Sequence, residues 1–128
     1  MKILLIEDSK FQRIASGRAL TKAGYDVIYA GDGEEGLDTA HRDMPNLILL
    51  DMMLPKLSGL DVLRVLKCNE LLKHIPVIVL SGLGQANQAK LLNEGAAAFL
   101  VKSEQSLENS SDLIHAVDEV LIGTKARV

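Results

Sequence analysis

Residues 47–51 read Leu47-Ile48-Leu49-Leu50-Asp51, four apolar residues closed by a carboxylate. A continuous run this short reads as a strand buried on both faces, because a half-exposed strand alternates and a helix needs ten or more residues. Three other stretches share this character: residues 3–6, 77–80 and 99–101. A fifth, residues 26–30, mixes polar and apolar side chains and reads as a strand nearer an edge.

The intervals between these strands are long enough for helices. In the first, Phe11, Ile14, Ala15 and Ala19 recur at helical spacing, Ser9 and Gln12 form a capping-box pair ahead of them, and Gly24 marks the stop. A second helix opens at Asp32 with Glu35 at its third position, and a third opens at Ser58 after the turn around Pro55. A fourth is expected over residues 85–94. The last buries Leu113, Val117, Val120 and Leu121 ahead of Gly123. Strict alternation of five strands with five helices calls for a doubly wound α/β domain, a parallel sheet covered on both faces. The domain is expected to span residues 1–123, with 124–128 as a short tail and no effector domain.

Composition narrows the function classes. The chain has 128 residues, enough for one continuous core, and is 48% hydrophobic and 24% charged, the balance of a folded domain. A formal net charge of -3 with no block of Lys or Arg argues against direct nucleic-acid binding. Only four apolar residues separate Lys2 from Glu7, which reads as neither signal peptide nor membrane span and points to the cytoplasm. Cys68 is the sole cysteine, so no internal disulfide is available, and it reads as a buried or inert thiol.

In a doubly wound sheet, ligands bind outside the carboxyl ends of the strands. Glu7 and Asp8 follow strand one, Asp51 ends strand three, Ser81 and Gly82 end strand four, and Lys102 follows strand five. Three carboxylates, a hydroxyl and an ammonium therefore converge on one edge. Carboxylates held close together repel unless a cation compensates, and Mg²⁺ suits one or two carboxylates completed by water and phosphate oxygens. Asp8 and Asp51 fit as its ligands, while Lys102 and Ser81 supply a charge and a donor for an anion.

Over residues 2–122 the chain resembles the response-regulator receiver domains of bacterial two-component signalling. The resemblance rests on Glu7, Asp8, Asp51, Pro55, Gly59, Ser81 and Lys102, which fall in the family's order and approximate spacing. It implies a CheY-like, flavodoxin-like sheet in the order 2-1-3-4-5. It also implies that Asp51 accepts a phosphoryl group from a sensor histidine kinase or a histidine phosphotransfer protein. Mg²⁺ would be held by Asp8, Asp51 and the backbone carbonyl of Met53, with Glu7 acting through water. Ser81 and Lys102 would turn toward the phosphoryl group and signal through Phe99, which serves equally well as plain core. Residues 85–122 would carry the output surface, for a downstream protein or for a second copy. Such a protein is a stoichiometric acceptor rather than a turnover enzyme.

Three features depart from the pattern or compete with it. Ser103 stands where the family usually has a cis proline, and a cis bond without proline costs about 3 kcal/mol. Met53 and Leu83 are apolar where relatives are often polar, which implies slow autodephosphorylation. Residues 31–36 satisfy G-x-G-x-x-G, yet Asp32, Glu34 and Glu35 would repel a pyrophosphate, so a capped glycine-rich turn is the better reading. Met52 and Met53 after Asp51 leave out the second aspartate of a dehalogenase-type phosphatase. His41, His74 and His115 lack metal-ligand spacing. The alternative to a working acceptor is a pseudo-receiver, an interaction module of the same fold that takes no phosphate.

Overall fold

The structure is a computed structural model, and it describes residues 1–52, 54, 57–81, 88–101 and 111–126. Strands β1 (Lys2–Ile6), β2 (Asp26–Ala30), β3 (Leu47–Asp51), β4 (Val77–Ser81) and β5 (Ala98–Val101) alternate with helices α1 (Lys10–Lys22), α2 (Gly33–Asp43), α3 (Gly59–Cys68), α4 (Gln88–Asn93) and α5 (Ser111–Ala126). All strands are parallel, in the order β2-β1-β3-β4-β5.

The continuous apolar runs of β1, β3 and β4 follow from two-sided burial, whereas the run at 99–101, expected to be buried, lies in edge strand β5, where no residue is buried and Val101 is exposed. On one face Leu4, Ile6, Ile48, Leu50, Val77 and Val79 pack with Val62, Leu63, Leu66 and Leu91 of α3 and α4. On the other, Ile3, Leu5, Leu47, Leu49, Ile78 and Leu80 pack with Leu20 of α1 and Leu113, Val117 and Leu121 of α5. Successive strand residues thus feed two cores, and neither position tolerates a polar side chain. β2, paired on one side only, is half exposed as its mixed composition requires.

The three expected caps are in place. Ser9 accepts from Gln12 N at 3.4 Å, Asp32 from Glu35 N at 2.8 Å, and Ser58 from Asp61 N at 3.2 Å. Each satisfies an amide that the first helical turn leaves without a partner. Gly24 adopts φ +99 just past the end of α1, the left-handed stop expected of it.

Two further expectations need correction. The stripe Phe11, Ile14, Ala15 and Ala19 is not the inward face of α1: Phe11 is 73% exposed and Ile14 43%, whereas Gly17 and Leu20 are buried. The reason is close approach. A Cβ on Gly17 would sit within 2.9 Å of Tyr29 Cε1 and Cζ, so the glycine lets the β2 tyrosine lie on the helix and sets its rotation. The last helix also does not stop at Gly123 but continues to Ala126, since nothing lies within 4 Å of a Cβ on Gly123 and no αL turn interrupts it. Of the fourth expected helix, residues 88–93 are helical, and 85–87 lie outside the described residues. No helix among the described residues is long and apolar enough to cross a membrane.

Long-range side-chain bonds close the amino edge of the sheet. Lys2 N donates to Asn46 Oδ1 at 2.7 Å and Lys2 Nζ to the Asp43 carbonyl at 3.1 Å. Lys67 Nζ donates to the carbonyls of Lys73 and Ile75, at 3.2 and 2.9 Å. His41 meets Asn69, and Arg64 grips Glu94 through two bonds of 3.2 Å. The Tyr25 hydroxyl donates to Asp118 of α5.

Two predictions come from these local features. Met44 ends α2 at φ 45, a left-handed conformation that penalises any side chain with a Cβ. Met44→Gly is therefore expected to raise stability by about 0.5 to 1 kcal/mol, and an unchanged urea midpoint would argue against strain there. Burial, then the bond to Asp118 and its negative charge, push the Tyr25 phenol up to about 12. Because the folded value exceeds the unfolded one, the stabilisation is complete below about pH 10 and is lost as the pH rises toward 12. Alkaline unfolding curves for the native chain and Tyr25→Phe should differ across this window, and identical curves would contradict the assignment.

Candidate functional site

The parallel register assembles the site. Ile6 pairs with Leu50 and Asp51 with Leu80, so the residue after Ile6 stands level with the end of β3 on the carboxyl edge. The Glu7 amide continues the ladder by donating to the Ala30 carbonyl at 3.0 Å, and the Met52 amide donates to Leu80 at 3.0 Å. Glu7 and Asp51 are each 2% exposed, and Asp8 is exposed. One carboxylate oxygen from each of Glu7, Asp8 and Asp51 lies within 4.8 Å of the others.

Neighbouring backbone holds these acids in place. Ser9 N donates to Glu7 Oε1 at 3.2 Å, so the cap residue of α1 also orients the buried carboxylate. The guanidinium of Arg13 donates from Nη1 to the Glu7 carbonyl at 3.3 Å. On the opposite side, Gly59 N donates to the Met52 carbonyl at 3.3 Å. A Cβ on Gly59 would fall 2.5 Å from the Asp51 carbonyl oxygen and 2.6 Å from Met52 Cα. Only glycine lets α3 begin this close to the strand that ends in Asp51.

Two buried carboxylates beside a third form a negative pocket, in which a bound cation would lower their mutual repulsion. The donor set is oxygen only, with neither thiol nor imidazole, as a hard divalent ion such as Mg²⁺ requires. Asp8 and Asp51, backed by Glu7, have the chemistry and the mutual distance to hold it.

The expected site residues are brought together in part. Glu7, Asp8 and Asp51 converge. The main chain of Ser81 ends β4 on the same edge, in register with Val101. Lys102, Met53, Leu83 and Ser103 lie outside the described residues, and with them the peptide geometry after Lys102. Phe99 is partly buried against the core shared with α3 and α4.

The competing motifs resolve into packing. Gly33 and Gly36 of the G-x-G-x-x-G stretch are contact points: a Cβ on Gly36 would fall 2.5 Å from Ile6 Cδ1, and one on Gly33 would fall 2.9 Å from Leu57. Asp32 between Gly31 and Gly33 caps α2. His41 bonds Asn69, and His115 lies 3.2 Å from Glu119 one helical turn away, both at the surface. Cys68 is exposed at the end of α3 rather than buried, because α3 turns Leu63 and Leu66 inward instead. Arg13 was not singled out from the sequence. Its bond goes to a main-chain carbonyl, and a basic residue in the first turn of a helix carries no signal of such a role.

Comparison with known proteins agrees with this geometry. The sequence profile described as the response regulator receiver domain matches residues 3–117. The gliding motility regulatory protein of Myxococcus xanthus is 37% identical over 109 residues, which are 84% of this chain and 14% of that protein. The polar-differentiation response regulator DivK of Brucella ovis is 33% identical over 101 residues, 78% of this chain and 82% of that one. Among solved structures, the signal receiver domain of a LuxO-type repressor protein from Vibrio parahaemolyticus superposes with a TM-score of 0.88 at 29% identity, covering 98% of this chain and 93% of that one. The chain thus spans a small part of one curated relative and most of another.

The close approach at Gly59 gives a direct test. Gly59→Ala places a methyl group on backbone atoms that cannot swing aside. It is expected to cost about 2 to 3 kcal/mol and to displace the Asp51 strand end. A melting temperature equal to that of the native chain would show that α3 has room to spare.

Proposed function

Because the chain belongs to the response regulator receiver family, whose profile covers residues 3–117, we propose that Asp51 is the acceptor in a Mg²⁺-dependent phosphoryl transfer from a histidine on a partner protein. The observation that carries this reading is the convergence of Glu7, Asp8 and Asp51 to within 4.8 Å, with Asp51 buried at the end of β3. The family works in phosphorelay signalling, and its members bind Mg²⁺ at such an acidic pocket.

In the transfer, a carboxylate oxygen of Asp51 attacks phosphorus. The new O–P bond forms as the N–P bond to the donor imidazole breaks, and the electron pair returns to the ring nitrogen. Asp8, Asp51 and the Met53 carbonyl would hold the Mg²⁺, with Glu7 acting through water. When bound, the ion neutralises charge on the phosphoryl oxygens. Lys102 adds a second positive charge, and Ser81 donates to a phosphoryl oxygen. The donor is a sensor histidine kinase or a histidine phosphotransfer protein.

The product is an aspartyl phosphate with strong acceptor oxygens in place of one carboxylate. Ser81 and Lys102 turn toward it, Phe99 repacks, and the surface within residues 85–122 changes its affinity for a downstream protein or a second copy. Met53 and Leu83 offer no hydrogen bond to an attacking water, so the adduct decays slowly. The chain is a stoichiometric switch in the cytoplasm rather than a turnover enzyme, with its receiver unit over residues 1–123.

Intact mass after incubation with acetyl phosphate and Mg²⁺ tests the proposal. The native chain is expected to gain one phosphoryl group. The gain should vanish for Asp51→Asn and when Mg²⁺ is chelated. An adduct that survives Asp51→Asn would move the acceptor elsewhere, and a folded chain that binds Mg²⁺ yet takes phosphate from neither acetyl phosphate nor a kinase would favour the pseudo-receiver.

A further inference from the structure

The guanidinium of Arg13 is held on the peptide unit that joins two of the three clustered acids. Its Nη1 donates to the carbonyl oxygen of Glu7, which belongs to the Glu7–Asp8 peptide bond. A trans peptide is planar, so holding that oxygen fixes the direction in which the backbone leaves Glu7 and enters Asp8. The same peptide unit is bounded by two further bonds, Glu7 N to the Ala30 carbonyl at 3.0 Å and Ser9 N to Glu7 Oε1 at 3.2 Å. The Arg13 Nη1 also lies 3.4 Å from where a Cβ on Gly31 would stand, so it reaches from α1 to the turn that follows β2. Glu35 Oε2, which accepts from Gly31 N at 3.3 Å, holds that turn from the other side.

We infer that Arg13 is a positioning residue for divalent-cation binding, acting by fixing the Glu7–Asp8 peptide so that the exposed Asp8 carboxylate is presented beside buried Asp51. This inference rests on the Mg²⁺-dependent reading of the cluster. Asp8 is the member most in need of such help. Glu7 and Asp51 are fixed by burial and strand pairing, whereas Asp8 follows the last residue of the β1 ladder and is exposed. An exposed carboxylate on an unrestrained backbone loses conformational freedom on coordinating an ion, and a restrained backbone has less to lose. Groups that orient metal ligands without touching the metal contribute about tenfold or more in affinity.

The test is a calorimetric Mg²⁺ titration of the native chain, Arg13→Ala, Arg13→Lys and Arg18→Ala, together with melting curves and amide resonances recorded in a chelator. Arg13→Ala is expected to bind Mg²⁺ about tenfold more weakly, with the metal-free Asp8 amide resonance displaced. Arg13→Lys, which keeps a donor and the charge, should recover part of the affinity. Arg18→Ala, an exposed change on the same helix, should bind as the native chain does. Native affinity in a folded Arg13→Ala, or an unmoved Asp8 resonance, would overturn the inference and leave the acceptor reading intact. A native chain that binds no Mg²⁺ would remove the reading beneath it, while the metal-free resonances would still report whether Arg13 fixes the peptide.

Discussion

Everything at the carboxyl edge depends on one constraint: parallel pairing of β1 with β3 sets Glu7 level with Asp51, and both are buried. Two carboxylates at the ends of adjacent apolar strands are not a stabilising arrangement. Desolvation and mutual repulsion both oppose it, so groups outside the apolar core must offset the two charges. The fold sustains the arrangement because the two cores below are extensive and the strands cannot slip by one residue without exchanging their faces. The site is therefore an acidic cluster held in place by a large apolar scaffold, and its all-oxygen donor set suits a divalent cation.

Much of this was legible in the residues themselves. The four apolar runs each ended where the polar groups began, so the edge on which chemistry sits could be read from Glu7, Asp8, Asp51, Ser81 and Lys102 taken together. The caps at Ser9, Asp32 and Ser58 were equally plain, since a cap is a local bond between residues three apart. The strand order followed from resemblance rather than from periodicity, and the half-exposed β2 agreed with it.

What the sequence concealed was tertiary in origin. The rotation of α1 is decided by Tyr29 of β2 lying on Gly17, a contact between residues in different elements that overrides the apolar stripe through Phe11 and Ile14. Arg13 escaped notice because its partner is a main-chain carbonyl, an atom that every residue type presents. The stretch 31–36 is the capped glycine-rich turn its acidic residues called for, and what the sequence left unread is that Gly33 and Gly36 are close-contact points against Leu57 and Ile6. A glycine pattern of that kind carries information about packing as readily as about phosphate.

The bonds that close the amino edge give the domain a mechanical polarity. α3 begins at Gly59 against the Asp51 strand end, and near its other end Arg64 and Lys67 are tied to Glu94, Lys73 and Ile75. Eight residues of helix separate Lys67 from Gly59, about 12 Å, so a tilt of about 5° about Lys67 would carry Gly59 through about 1 Å. The helix is held at both ends, by side-chain bonds far from the chemistry and by close backbone contact beside it. An angular change too small to unseat any side chain of the core is large enough, at the acidic edge, to alter the fit around a single oxygen atom.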